Sequence, residues 1–162
     1  MFDFLKRKNK HKEELYAIAE GTLIPLEEVP DEVFSSKMMG YGFAIRPANG
    51  EIYAPLNGTI KTLFPTKHAV GIESENGIEV LLHFGIDTVE LEGKPFEVYV
   101  QEGDQVTKDT KLATMNLEEI AEAGKNSELM VIFTNPGQIE ELSIHPNHTV
   151  SVKESIGKIT LN

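Results

Sequence analysis

Cysteine is absent from all 162 residues, and so is tryptophan. Without thiols there are no disulfides, no thiolate nucleophiles and no cysteine–zinc centres, and a cytoplasmic setting is expected. No apolar run approaches the roughly 20 residues that a membrane span needs. The opening "MFDFLKRKNKHK" places its charges after its apolar residues and no hydrophobic stretch follows, so it is not read as a signal peptide. The phosphate-binding patterns G-x-x-x-x-G-K-[ST] and G-x-G-x-x-G are missing, as is the nucleophile elbow G-x-S-x-G. The chain is therefore not expected to bind ATP on its own. If it handles a phosphoryl group, another protein must supply it.

What is present is acid, unevenly spread. Residues 1–12 carry Lys6, Arg7, Lys8, Lys10 and Lys12 against Asp3, a net +4, which leaves −15 on the other 150 residues of a chain whose total is −11. So acidic a body repels phosphates, which excludes nucleic acid as a partner and favours basic proteins. The basic opening, with Phe2, Phe4 and Leu5, reads as a solvated N-terminal tail whose contact with a membrane is at most peripheral. The domain organisation expected is a tail over residues 1–18 and a single domain over residues 19–162. With no fused transporter domain, the protein is expected to diffuse freely.

From residue 20 onward, Gly and Pro interrupt the chain every few residues. Between them lie short runs rich in Ile, Val, Thr, Phe and Leu, such as "GEIYAPLNGTIKTLF", "HAVGIES", "IEVLLHF", "FEVYV", "ELMVIF" and "GKITL". Many short strands separated by turns predict an all-β sandwich or barrel, and no βαβ rhythm competes with it. One helix is predicted in "NLEEIAEAG": Asn116 caps it, Glu119 follows three residues later, Leu117, Ile120 and Ala121 form its apolar stripe, and Gly124 ends it. "PDEVFSS" predicts a turn of helix or an ordered loop.

Of five histidines, His11 lies in the tail, while His145 and His148 sit in the polar turn "HPNH". His68 and His83 flank a hairpin whose turn is "ENG". If Asn76-Gly77 forms a two-residue loop, Val70 faces His83 and His68 is its diagonal neighbour. If Glu75-Asn76 forms it, His68 faces His83 directly. Either register puts both rings on one face, within about 5 to 8 Å at Cβ; a one-residue slip separates them. Such a pair suits three roles. One imidazole can be a nucleophile assisted by the other, the two can hold zinc with a carboxylate, or both can be hydrogen-bonded structural groups.

These segments resemble the glucose-type IIA component of the bacterial sugar phosphotransferase system. The resemblance runs over "VPDEVFSSKMMGYGFAIRP" (29–47), "APLNGTI" (54–60), "FPTKHAVGIES" (64–74), "LLHFGIDTVELEG" (81–93), "EGDQVTKDTKL" (102–112) and "VIFTN" (131–135). It implies an antiparallel β-sandwich, or barrel-sandwich hybrid, with Greek-key connections and one or two short helices. It implies that His83 accepts a phosphoryl group from the histidine phosphocarrier protein and passes it to a cysteine of a sugar transporter's IIB domain. His68 would support the transfer, Thr66 would orient His68, and the Gly85 carbonyl would fix the tautomer of His83. Asp31 and Asp87 match flanking acids. Val33, Phe34, Met38, Met39 and Phe64 match partner-docking positions, an apolar ring rimmed by acids, with ordinary core as the alternative for Phe34 and Phe64. No tightly bound cofactor is implied. A zinc ion bridging His68 and His83 to a partner's carboxylate is the one metal contact envisaged, and some family members also regulate other proteins.

Two rival readings are weaker. "APLNGTI" and "EGDQVTKDTKL" also resemble biotinyl and lipoyl carrier modules, but the Met-Lys-Met or Asp-Lys-Ala tip is missing. A zinc hydrolase built on His68, His83 and a carboxylate would want a His-x-His pattern, which does not occur.

Overall fold

The computed structural model describes residues 11–38 and 40–162. Fourteen strands are described, and every paired neighbour is antiparallel. Eight of them form the sheet that carries the site. In spatial order these are β13 (His148–Val150), β2 (Gly21–Pro25), β3 (Tyr41–Pro47), β11 (Asn126–Phe133), β7 (Glu79–Ile86), β6 (Ala69–Ser74), β5 (Gly58–Leu63) and β9 (Gln105–Val106). β1 (Lys12–Tyr16), β14 (Ser155–Leu161) and β12 (Ile139–Ile144) form a second sheet, and β4 (Glu51–Tyr53), β10 (Lys111–Met115) and β8 (Phe96–Val98) a third. The antiparallel all-β fold expected from the sequence is the fold observed.

Alternation along the central strands explains two cores. Residues Phe43, Ile45, Leu82, Phe84, Leu129 and Val131 point into the main core. Ala44, Met130 and Ile132 point the other way, together with Ile24 of β2 and with Ile86, which the left-handed Gly85 turns to that side, and Leu26, Val29 and Phe34 cover them. The cover is a short segment between β2 and β3: a 3-10 turn, Leu26–Glu28, then α1 (Glu32–Ser35). Asp31 caps α1 by accepting from Val33 N at 2.9 Å and Phe34 N at 3.4 Å. Strands buried on both faces read as continuous apolar runs, which is why "VLL" and "LMVIF" show little alternation.

The predicted second helix is α2 (Leu117–Glu122), with Asn116 Oδ1 accepting from Glu119 N at 3.0 Å. Ile120 carries its buried contact, while Ala121, expected on the stripe, is exposed.

The expected boundary after residue 18 is overturned. Lys12–Tyr16 pairs with β14 from Lys12 opposite Thr160 to Tyr16 opposite Ser155, and Leu15, Ala17 and Ile18 are fully buried. "KEELY" looks like a tail because it is mostly charged. At a sheet edge Lys12 and Glu14 face water, Leu15 faces the core, and Glu13, half-buried beside it, accepts from the Ser74 hydroxyl at 2.7 Å. Residues 1–10, where the basic cluster lies, fall outside the described residues.

Candidate functional site

The β6–β7 hairpin does not close through either two-residue loop. Ser74 N donates to Ile78 O at 2.8 Å and Gly77 N to Ser74 O at 3.0 Å, so the loop has three residues, with Gly77 at φ +86°. A turn followed by a left-handed glycine is the common three-residue hairpin. Ala69 therefore faces His83, and Val70 faces Leu82. This is the one-residue slip that strict alternation says should separate the histidines.

They meet nevertheless, because His68 lies outside the strand. β6 begins at Ala69, and His68 follows Lys67, whose φ is +58°. Lys67 N donates to Phe64 O at 2.8 Å, closing a tight turn. The pleat imposes no direction on a residue in that bend, and the His68 ring swings to the outer side of the sheet. There the two rings are edge to face, with centroids 5.0 Å apart.

Each ring is held by one nitrogen. His83 Nδ1 lies 2.8 Å from Gly85 O. A carbonyl only accepts, so Nδ1 carries the proton and Nε2 keeps its lone pair. His68 Nδ1 shares a 2.5 Å hydrogen bond with Thr66 Oγ1. Gly85 has φ +82°, and a Cβ there would lie 2.5 Å from Thr88 Cγ2 and 2.8 Å from Asn126 O, so only glycine fits.

The surroundings keep the rings neutral. Burial pushes His68 below the usual histidine range. Burial also lowers His83. The Gly85 hydrogen bond opposes that shift, the neighbouring His68 adds to it, and the charges of Asp31 and Asp87 oppose it more weakly. Asp31 thus does two jobs, capping α1 and facing His83 electrostatically. Asp87 stands in the left-handed region at φ +59° and starts the 3-10 turn Thr88–Leu91 without a side-chain cap bond.

The partner positions divide. Val33 and Met38 are exposed, at 46% and 77%, and Phe64 is 36% exposed while standing edge-on to His68 at 5.4 Å. Phe34 is a buried wall of the site: it is 6% exposed and its ring centroid lies 4.9 Å from that of His83. Its placement follows from α1 laying its one buried side chain onto the outer face of the sheet while Val33 faces outward. Met39 lies outside the described residues. Sequence reasoning missed Thr88, fully buried, whose Oγ1 donates to Phe84 O. Its signal was a hydroxyl residue directly after the Gly-Ile-Asp turn.

Among the described residues, no group of three or more His, Cys, Asp or Glu is placed to hold a metal ion. His145 and His148 are exposed and remote from the pair in the fold, with His148 Nε2 3.9 Å from Glu154. Among the same residues, no helix is long and apolar enough to cross a membrane.

The family described as phosphoenolpyruvate-dependent sugar phosphotransferase system, EIIA 1, matches residues 13–139. A "PTS system glucose-specific EIIA component" of Staphylococcus aureus is 39% identical over 166 aligned residues, covering all of both chains. A "PTS system glucose-specific EIICBA component" of Streptococcus pneumoniae is 46% identical over 149 residues, which are 92% of this chain and 20% of that one. The chain thus spans a fifth of the length of the pneumococcal relative. Glucose permease IIA from Mycoplasma capricolum superposes with a TM-score of 0.86 at 39% identity, covering 91% of this chain and 96% of that one.

Proposed function

The chain belongs to the EIIA 1 family of the phosphoenolpyruvate-dependent sugar phosphotransferase system, and from that premise we propose that His83 is its phosphoryl acceptor. Membership makes the protein a phosphotransferase component serving sugar uptake. The donor in this reading is the phosphohistidine of the histidine phosphocarrier protein. The recipient is a cysteine on the IIB domain of a glucose-type transporter; the pneumococcal relative, named EIICBA, joins such components in one chain.

The observation that carries the reading is the Nδ1–H bond to Gly85 O, which leaves Nε2 unprotonated beside a second imidazole. The Nε2 lone pair attacks phosphorus in line with the leaving nitrogen. The donor P–N bond breaks, and its electron pair returns to the donor imidazole. In the second step a partner thiolate attacks phosphorus, and the pair of the breaking bond returns to Nε2 of His83. Such transfer is largely positioning and charge stabilisation. With the Thr66 hydroxyl donating to Nδ1, His68 carries its proton on Nε2 and donates it to a phosphoryl oxygen. Asp31 and Asp87 repel the bound phosphoryl group and favour its departure.

Val33, Met38 and Phe64 supply the exposed apolar contacts for both partners, and acids such as Glu27, Glu28 and Glu32 supply the rim. A groove of about 320 Å³ lined by Phe64, Gly71 and Leu81 extends this surface. Nε2 of His83, and Nε2 of His68 once its proton moves to Nδ1 and is donated to Thr66 Oγ1, also fit two of the four ligands of a zinc ion, which would need a carboxylate from a regulatory partner to complete it.

The test is incubation with the general phosphotransferase enzyme, the phosphocarrier protein and labelled phosphoenolpyruvate. An acid-labile, base-stable phosphate is expected on His83, and none on His83→Ala. Labelling of His83→Ala at the normal rate overturns the assignment.

A further inference from the structure

Phe84 lies between the two histidines along the backbone network, and both of its peptide groups are engaged. Its N–H donates to His68 O at 2.7 Å, and its carbonyl accepts from Thr88 Oγ1 at 2.5 Å. The next carbonyl, Gly85 O, is the one that accepts from His83 Nδ1 at 2.8 Å. Gly85 sits at φ +82°, where a glycine has the most freedom to turn its carbonyl elsewhere. Something must remove that freedom if the tautomer of His83 is to be fixed.

Thr88 is placed to do so with both arms of its side chain. It is fully buried, its hydroxyl holds the carbonyl that precedes Gly85, and its methyl closes against the position a Gly85 Cβ would take. A β-branched side chain has few χ1 choices, so its two arms act as a rigid bracket. We infer that Thr88 is a positioning residue for phosphoryl transfer: it clamps the Phe84–Gly85 peptide so that the Gly85 carbonyl keeps His83 in the Nδ1–H form. Thr88 touches neither phosphorus nor imidazole. It acts through the peptide that it holds, and through Phe84 the same clamp reaches the backbone of His68.

The inference rests on His83 being the acceptor, but its first readout does not. Nitrogen-15 spectra of the unphosphorylated protein report which nitrogen of His83 carries the proton. Thr88→Val keeps the shape and removes the hydroxyl, and Thr88→Ser keeps the hydroxyl. In Thr88→Val the Nε2–H form of His83 is expected to become populated. Acceptance of phosphate should slow by about ten- to a hundredfold, the range for a lost partner that orients a functional imidazole. Thr88→Ser should restore the Nδ1–H form and stay within about threefold of the parent rate. A folded Thr88→Val protein with the parent tautomer overturns the inference. So does a Thr88→Ser protein that folds but shows the Nε2–H form, which keeps the test open if the valine variant does not fold. A tautomer change in Thr88→Val together with phosphate found on another residue would support the clamp and overturn His83 as acceptor.

Discussion

The rings of His68 and His83 meet at 77° with centroids 5.0 Å apart, although the strand ladder sets Ala69, not His68, opposite His83. The pairing of the two imidazoles is therefore made by the turn that precedes β6. Lys67, at φ +58°, is the residue on which that turn depends. Lys67→Val places a β-branched side chain in the left-handed region and should cost about 1–3 kcal/mol. Thermal unfolding measures the loss, and nuclear Overhauser contacts between the two rings should weaken with it. Unchanged contacts would show that the turn does not place His68.

His68→Gln separates acceptance from delivery. The glutamine cannot reproduce an imidazole N–H held by Thr66, but His83 keeps its own bond to Gly85. Labelling from the phosphocarrier protein should persist, while delivery to the IIB cysteine slows by at least about tenfold. Single-turnover transfer of labelled phosphate checks this, and equal loss in both steps would contradict it.

Both histidines should titrate below the ordinary value of 6.5. For a cation-forming group whose folded pKa is depressed, the unfolded chain binds the extra proton first. The stability is complete above the unfolded pKa and is lost as pH falls from about 6.5 through the folded pKa. Proton NMR of the imidazoles across that window gives the midpoints, and a midpoint at or above 6.5 for His83 would refute the burial argument. Phosphate acceptance should persist at pH values where a solvated histidine is already mostly charged.

Asp31 can be dissected by two substitutions. Asp31→Ser retains an oxygen for the α1 cap and removes the charge, whereas Asp31→Ala removes both. The alanine protein should be less stable than the serine protein by about 1 kcal/mol. In both, the His83 pKa should fall further, because a carboxylate that favours the imidazolium has gone. Equal stability of the two proteins would mean that the bonds to Val33 and Phe34 contribute nothing.

Leu15→Ala tests where the folded domain begins. A tail residue would tolerate the change, but Leu15 is fully buried in β1. The expected loss is about 2–5 kcal/mol, as for other core leucines. Denaturant unfolding measures it.

Much of the fold was legible because it is written locally. Gly and Pro mark the turns, β-branched and aromatic runs mark the strands, and Asn116 and Asp31 stand where caps are needed. β1 was illegible for an equally local reason. An edge strand buries one side chain in two or fewer, so "KEELY" carries too little apolar signal to stand out from a charged tail. Phe34 was ambiguous for a different reason. Its sequence neighbourhood resembles a docking surface, and only the apolar outer faces of β3, β7 and β11 turn it into a wall against His83.

By itself the sequence determined the residue types that the chemistry uses: two histidines flanking a hairpin, a threonine two residues before one of them, and a glycine two residues after the other. Those relations are short-range, and they survive as the bonds from Thr66 to His68 and from His83 to Gly85. Only the tertiary structure decided how the two rings come together. The three-residue loop set a register that alternation alone would read as separating them, and the bend at Lys67 and His68 reversed that outcome. Loop length and a single left-handed residue change direction by a whole face of the sheet while leaving composition and spacing untouched, so the distinction is geometric and invisible in the order of residues.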